Sequence, residues 1–149
     1  MISETKEPII YKNMTNAVDN RPRILLFVED EPDIVELYKI AFEAGGFVIE
    51  SAVNGQDALS KLKQYSTEDV DRPTVMILDI LLPDISGMDV LKEVRKNPLF
   101  DNTPVIMFTN YSSDKIRDEI SKISNTRYLL KMETSPGQLV ALVKEMLKL

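Results

Sequence analysis

The chain has 149 residues, 44% hydrophobic and 28% charged, the size and composition of one ordinary globular domain. Its net charge of −6 lacks the basic surplus that phosphate backbones reward, so no nucleic-acid partner is expected. It has no cysteine and no histidine. That removes disulfides, thiolate metal sites, Ser/His/Asp and Cys/His catalysis, and any phosphohistidine of its own. A metal here would be held by oxygen, which points to magnesium, calcium or manganese.

Residues 1–22 read as a flexible N-terminal tail, either solubilising only or partly docked through Ile9-Ile10-Tyr11. Glu4, Lys6, Glu7 and Pro8 interrupt any signal-peptide core, and no apolar run approaches the roughly 18–20 residues of a membrane span. A cytoplasmic protein with no membrane partner is expected. From Arg23 onward strands and helices alternate. Ile24 to Val28 is an apolar strand, and Pro32 opens a helix carrying Ile34, Val35, Leu37, Tyr38, Ala41 and Phe42. Gly45-Gly46 ends it. Phe47 to Ala52 alternates and is less apolar, as an edge strand would be. Asn54-Gly55 reads as a turn before a helix with Ala58, Leu59 and Leu62, and Tyr65 to Pro73 as a loop.

Thr74 to Leu78 is the third strand and Met88 to Lys96 the third helix. Pro98 and Pro104 bracket the connection to a fourth strand, Val105 to Phe108. A mostly polar helix follows from about Ser113 to Ile123. Arg127 to Leu130 is the fifth strand. Ser135-Pro136-Gly137-Gln138 reads as a capping box that opens the last helix. Five apolar strands alternating with five helices predict an α/β fold with a parallel sheet covered on both faces. Right-handed crossovers put every strand carboxyl end on one side, where ligands of open sheets bind.

Several of these strands run into chemically active side chains. Val28 is followed by Glu29-Asp30, Leu78 by Asp79, Phe108 by Thr109 and Leu130 by Lys131. Three carboxylates meeting at one edge repel each other unless a cation enters, and a hard divalent ion such as magnesium suits them. A hydroxyl and an ammonium beside them suit a phosphoryl group, whose transfer needs positioning and charge neutralisation. Asp79 would be the nucleophile. Taken singly, the carboxylates also read as a solvated acidic rim, Thr109 as a helix cap and Lys131 as a surface lysine.

The sequence resembles the receiver domain of two-component response regulators. The resemblance rests on Leu25-Leu26-Phe27-Val28-Glu29-Asp30-Glu31-Pro32, on Ile77 to Gly87 around Asp79, on Pro104 to Thr109 and on Tyr128-Leu129-Leu130-Lys131. It covers residues 23–149, and the spacings 79 to 109 and 79 to 131 are typical of that family. It implies a flavodoxin-like, doubly wound five-stranded sheet of order 2-1-3-4-5. It further implies Asp79 as phosphoacceptor, with a magnesium ion held by Asp30, Glu29, Asp79 and the backbone carbonyl of Leu81. Thr109 and Lys131 would meet the phosphoryl group, and Thr109 and Tyr128 would form the conformational switch. Tyr128 read without the resemblance is an edge-strand aromatic packed on the last helix.

Three places in the chain depart from the family pattern. Asn110 stands where a small residue is usual, Met132 where a cis proline is usual, and Asn125-Thr126 where Gly-Ala is usual. A cis bond before a residue other than proline costs about 3–4 kcal/mol, so Lys131–Met132 is expected trans. Leu81 and Tyr111 flank the site and are expected to shield an acyl phosphate from water. Like stand-alone chemotaxis regulators, the chain is expected to signal without an output domain. It would take a phosphoryl group from a sensor histidine kinase or histidine phosphotransfer protein, then bind a downstream protein as a monomer or phosphorylation-dependent homodimer. That makes it a phosphoacceptor signalling protein and not an enzyme. The alternative is a degenerate receiver that binds partners without phosphorylation. A haloacid-dehalogenase-like phosphatase is disfavoured, because that family wants a second aspartate where Leu81 stands.

Overall fold

The computed structural model describes residues 21–149. The tail read over residues 1–22, with its docking stretch Ile9-Ile10-Tyr11, lies outside the described residues as far as residue 20. Five strands, β1 (Ile24–Val28), β2 (Val48–Ala52), β3 (Val75–Leu78), β4 (Val105–Thr109) and β5 (Thr126–Leu130), form one parallel sheet in the order β2-β1-β3-β4-β5. The helices of the described residues are α1 (Pro32–Ala44), α2 (Gly55–Thr67), α3 (Gly87–Lys96), α4 (Asp114–Ser121) and α5 (Pro136–Met146). The fold class expected from the sequence is the one observed.

Strand alternation divides the core into two layers. Leu25, Phe27, Ile77, Ile106 and Phe108 face α1 and α5, meeting Phe42, Leu139 and Val143. Leu26, Val28, Met76, Leu78 and Met107 face α2, α3 and α4, meeting Leu62, Leu91 and Ile120. Tyr38 ties α1 to the sheet, its ring 5.6 Å from that of Phe27 and 5.4 Å from that of Phe108, both edge-on. Such pairs add about 0.5–1.5 kcal/mol each beyond the area they bury. The sheet therefore presents a rigid row of strand ends to the chemistry above it.

Local departures from expectation have local causes. Asn54-Gly55 is a helix start and not a turn, because the Asn54 side chain accepts the Asp57 N–H at 2.8 Å as an N-cap. The helix then runs to Thr67, through the first part of the expected loop. Buried Tyr65 anchors that last turn, and the Ser66 and Thr67 hydroxyls bond back to the carbonyls of Leu62 and Lys63. Pro98–Phe100 forms a 3-10 turn that buries Phe100. Asn125, in the place usual for glycine, has φ 58°, a left-handed conformation that asparagine tolerates. The capping box of Ser135 and Gln138 forms as expected. Among the described residues no peptide bond is cis, so Lys131–Met132 is trans.

Candidate functional site

The strand ends bring the expected residues to one edge. Asp79 N–H donates to Val28 O at 3.1 Å and Glu29 N–H to Ala52 O at 3.0 Å, so the ladder carries one step past each strand. This locks Glu29 and Asp79 side by side. Both are buried, as is Thr109 at the end of β4, while Asp30 is exposed. Glu29, Asp30 and Asp79 each offer a carboxylate oxygen, and these lie within 4.8 Å of one another.

Lys131 enters from the end of β5. Its ammonium donates to Glu29 Oε1 and, at 2.6 Å, to Asp79 Oδ2. The second oxygens are also engaged: Glu29 Oε2 accepts Asp30 N–H, and Asp79 Oδ1 accepts Leu81 N–H, both at 3.0 Å. Burial would lower the Lys131 pKa, but the hydrogen bonds it donates to Asp79 and Glu29 overcome this and hold that pKa above its ordinary value. Burial raises the Glu29 carboxyl, and the Asp79 charge adds to the rise against the pull of Lys131. The two directions are compatible, since Lys131 has two carboxylate partners and each carboxylate shares one lysine.

The loop from Asp79 to Gly87 is held tightly. Gly87 N–H returns to Ile80 O at 2.9 Å, and a Cβ on Gly87 would lie 1.9 Å from the Asp79 carbonyl oxygen. Only glycine fits there without moving the Asp79 backbone. Asp84, in the same loop, accepts the Gly55 and Gln56 N–H groups at 2.8 Å each and so caps α2 from a distant segment. Burial opposes ionisation of Asp84, but these backbone N–H groups outweigh it and hold its pKa below the usual carboxylate value. Sequence reading missed both contacts. The eight-residue step from Asp79 to Gly87 was the available signal for the first.

On the β4 side, Thr109 Oγ1 accepts Tyr111 N–H at 3.1 Å. The Tyr128 hydroxyl donates to Tyr111 O, and the Arg117 guanidinium sits 5.1 Å over the Tyr128 ring. Tyr128 packs into the layer of α2, α3 and α4, not against the last helix. Leu81 and Tyr111 are exposed beside the site. The donor set consists only of oxygen, and its clustered carboxylates fit a hard divalent cation. Chemically, the site pairs a metal-suited acidic cluster with an ammonium and a hydroxyl.

A family model described as "Response regulator receiver domain" matches residues 25–144. The transcriptional regulatory protein TrcR of Mycobacterium tuberculosis is 31% identical over 110 residues, which is 74% of this chain and 39% of that protein. The chain spans about two fifths of the length of the first such curated relatives. Among solved structures, the Thermotoga maritima response regulator TrrA, in complex with Mg2+ and BeF, is 32% identical with TM-score 0.67, covering 83% of this chain and 98% of that one. The chemotaxis response regulator CheY4 of Vibrio cholerae is 25% identical with TM-score 0.71, covering 85% and 99%.

Proposed function

The chain belongs to the response regulator receiver domain family, and on that premise we propose that it accepts a phosphoryl group on Asp79 in a magnesium-dependent reaction. The observation that carries this reading is the Lys131 ammonium seated on Asp79 within the three-carboxylate cluster. An Asp79 carboxylate oxygen attacks phosphorus. The donor's P–N bond breaks as the P–O bond forms, and the imidazole of a partner's phosphohistidine leaves with the electron pair. The chain has no histidine to supply that donor itself. Water later attacks the same phosphorus and returns the Asp79 carboxylate and inorganic phosphate.

Asp30, Glu29, Asp79 and the Leu81 carbonyl would hold the magnesium ion, which when bound neutralises charge on the phosphoryl oxygens. Lys131 exchanges its bond to the Asp79 carboxylate for one to a phosphoryl oxygen. Thr109 gives up the Tyr111 N–H and turns its hydroxyl toward the new group. Tyr128, whose hydroxyl is bonded to the same Tyr111, follows as the switch. The receiver domain spans 23–149 and works in the cytoplasm. Its output is a protein contact that depends on the phosphorylation state, made as a monomer or a phosphorylation-dependent homodimer.

The test is chemical. The protein is treated with magnesium and a small phosphoryl donor, then reduced with borohydride, and the product is mapped. Homoserine at position 79 supports the assignment. Its appearance at another position would reassign the phosphoacceptor, and its absence from a folded, magnesium-binding sample favours the phosphorylation-independent module.

A further inference from the structure

Two positions that depart from the family pattern meet in space. Asn110 directly follows Thr109, and Met132 directly follows Lys131. The last rung between β4 and β5 pairs Thr109 with Leu130, after which the chain tightens into the 3-10 turn Lys131–Glu133. Beyond that rung Met132 N–H donates to Asn110 Oδ1 at 2.9 Å. A side chain thus extends the pairing where the backbone has turned away. A backbone N–H needs an acceptor, so the amide oxygen and not the NH2 group must face Met132.

The two departures account for each other. A proline at 132 would have no N–H to give, and a small apolar residue at 110 would have no acceptor. The tie also joins the immediate neighbours of the two groups that would meet a phosphoryl oxygen. The rest of the turn is closed internally, by Thr134 Oγ1 to Leu130 O at 3.0 Å and Thr134 N to Lys131 O at 3.3 Å. Beyond the Thr109–Leu130 rung, Asn110 therefore ties this turn to the end of β4, beside the bonds the Lys131 ammonium makes to Asp79 and Glu29.

We propose that Asn110 is a positioning residue: its side-chain carbonyl ties the turn carrying Lys131 to the strand end carrying Thr109, and so holds the Lys131 ammonium over Asp79. The consequence for phosphorylation rests on the receiver reading above; the tie itself does not. Asn110→Ala frees the turn and lowers the share of molecules with Lys131 in place.

The experiment has two arms. In the first, hydrogen exchange of the Met132 amide is followed in wild type, Asn110→Ala and Asn110→Asp. Loss of one exposed hydrogen bond should speed exchange roughly three- to tenfold in Asn110→Ala, and Asn110→Asp, which keeps an acceptor, should restore protection. In the second, Asp79 phosphorylation by acetyl phosphate at saturating magnesium is measured for Asn110→Ala, Met132→Pro, the double variant, and Asn110→Ala combined with Lys131→Ala. Asn110→Ala should slow phosphorylation in step with the fall in the closed fraction, by at most the factor seen in exchange. It should add nothing once Met132 is proline or Lys131 is gone. Unchanged Met132 exchange, or an equal slowing with and without Lys131, overturns the proposal. If wild type takes up no phosphoryl group, the receiver reading fails and the exchange arm decides the tie alone.

Discussion

The Lys131 ammonium stands 2.6 Å from Asp79 Oδ2 while it also donates to Glu29. One cation therefore serves two of the three carboxylates of the cluster suited to a metal ion. At about 4 Å two unit charges interact by about 1 kcal/mol even at the dielectric of water. Lys131→Met should accordingly bind magnesium at least about fivefold more tightly by titration calorimetry. Without magnesium the variant should lose about 3–5 kcal/mol of stability, because buried carboxylates are left unpaired. Equal or weaker magnesium binding would contradict the view that Lys131 and the metal ion compete for these carboxylates.

Gly87→Ala puts a methyl group into the Asp79 backbone. Overpacking of this kind costs about 1–3 kcal/mol and occasionally more, and here the obstacle is backbone that cannot rotate away. Urea unfolding should place the variant at the upper end of that range, with slower uptake of phosphoryl on Asp79. A variant as stable as wild type would show that the contact relaxes freely.

Asp84 gives an acid-side signature. Its folded pKa lies below the ordinary 3.8, so its contribution to stability is present above pH 3.8 and is lost as pH falls through the folded value. The stability difference between wild type and Asp84→Asn should be flat at neutral pH and shrink as the pH falls from 3.8 through the folded value. The Gly55 and Gln56 amides should exchange faster in the variant at neutral pH. Slowed or unaltered exchange at those two amides would sink the capping role.

Leu81 and Tyr111 stand exposed at the rim, 55% and 40% accessible, and are expected from the sequence to shield an acyl phosphate from water. The phosphorylated protein should persist for minutes or longer, and trimming both residues to alanine should shorten its lifetime several-fold. A wild-type half-life of seconds would remove the shielding role.

The sheet was legible in the sequence because its signals are local. Each strand is a short apolar run, and each run stops at a polar side chain. Glu29, Asp30, Asp79, Thr109 and Lys131 could be singled out because parallel topology forces strand ends together. What stayed hidden depends on pairs distant in sequence. Arg95 donates to the carbonyls of Phe100, Thr103 and Asn125 and to Thr126 Oγ1, pinning the start of β5, and no periodicity announces it. The bond between Asn110 and Met132 is of the same kind: each looked like an isolated departure until the fold set them side by side. Asn54-Gly55 misled for another reason, since asparagine serves turns and helix caps equally well.

The central claim is that Asp79 is the phosphoacceptor of a magnesium-dependent receiver. Intact mass spectrometry after incubation with acetyl phosphate tests it most directly, with and without magnesium, for wild type and Asp79→Asn. The account predicts a single phosphoryl adduct in wild type, present only with magnesium, and none in Asp79→Asn. An adduct that survives the Asp79→Asn substitution, or none at all in folded, magnesium-bound wild type, would contradict it.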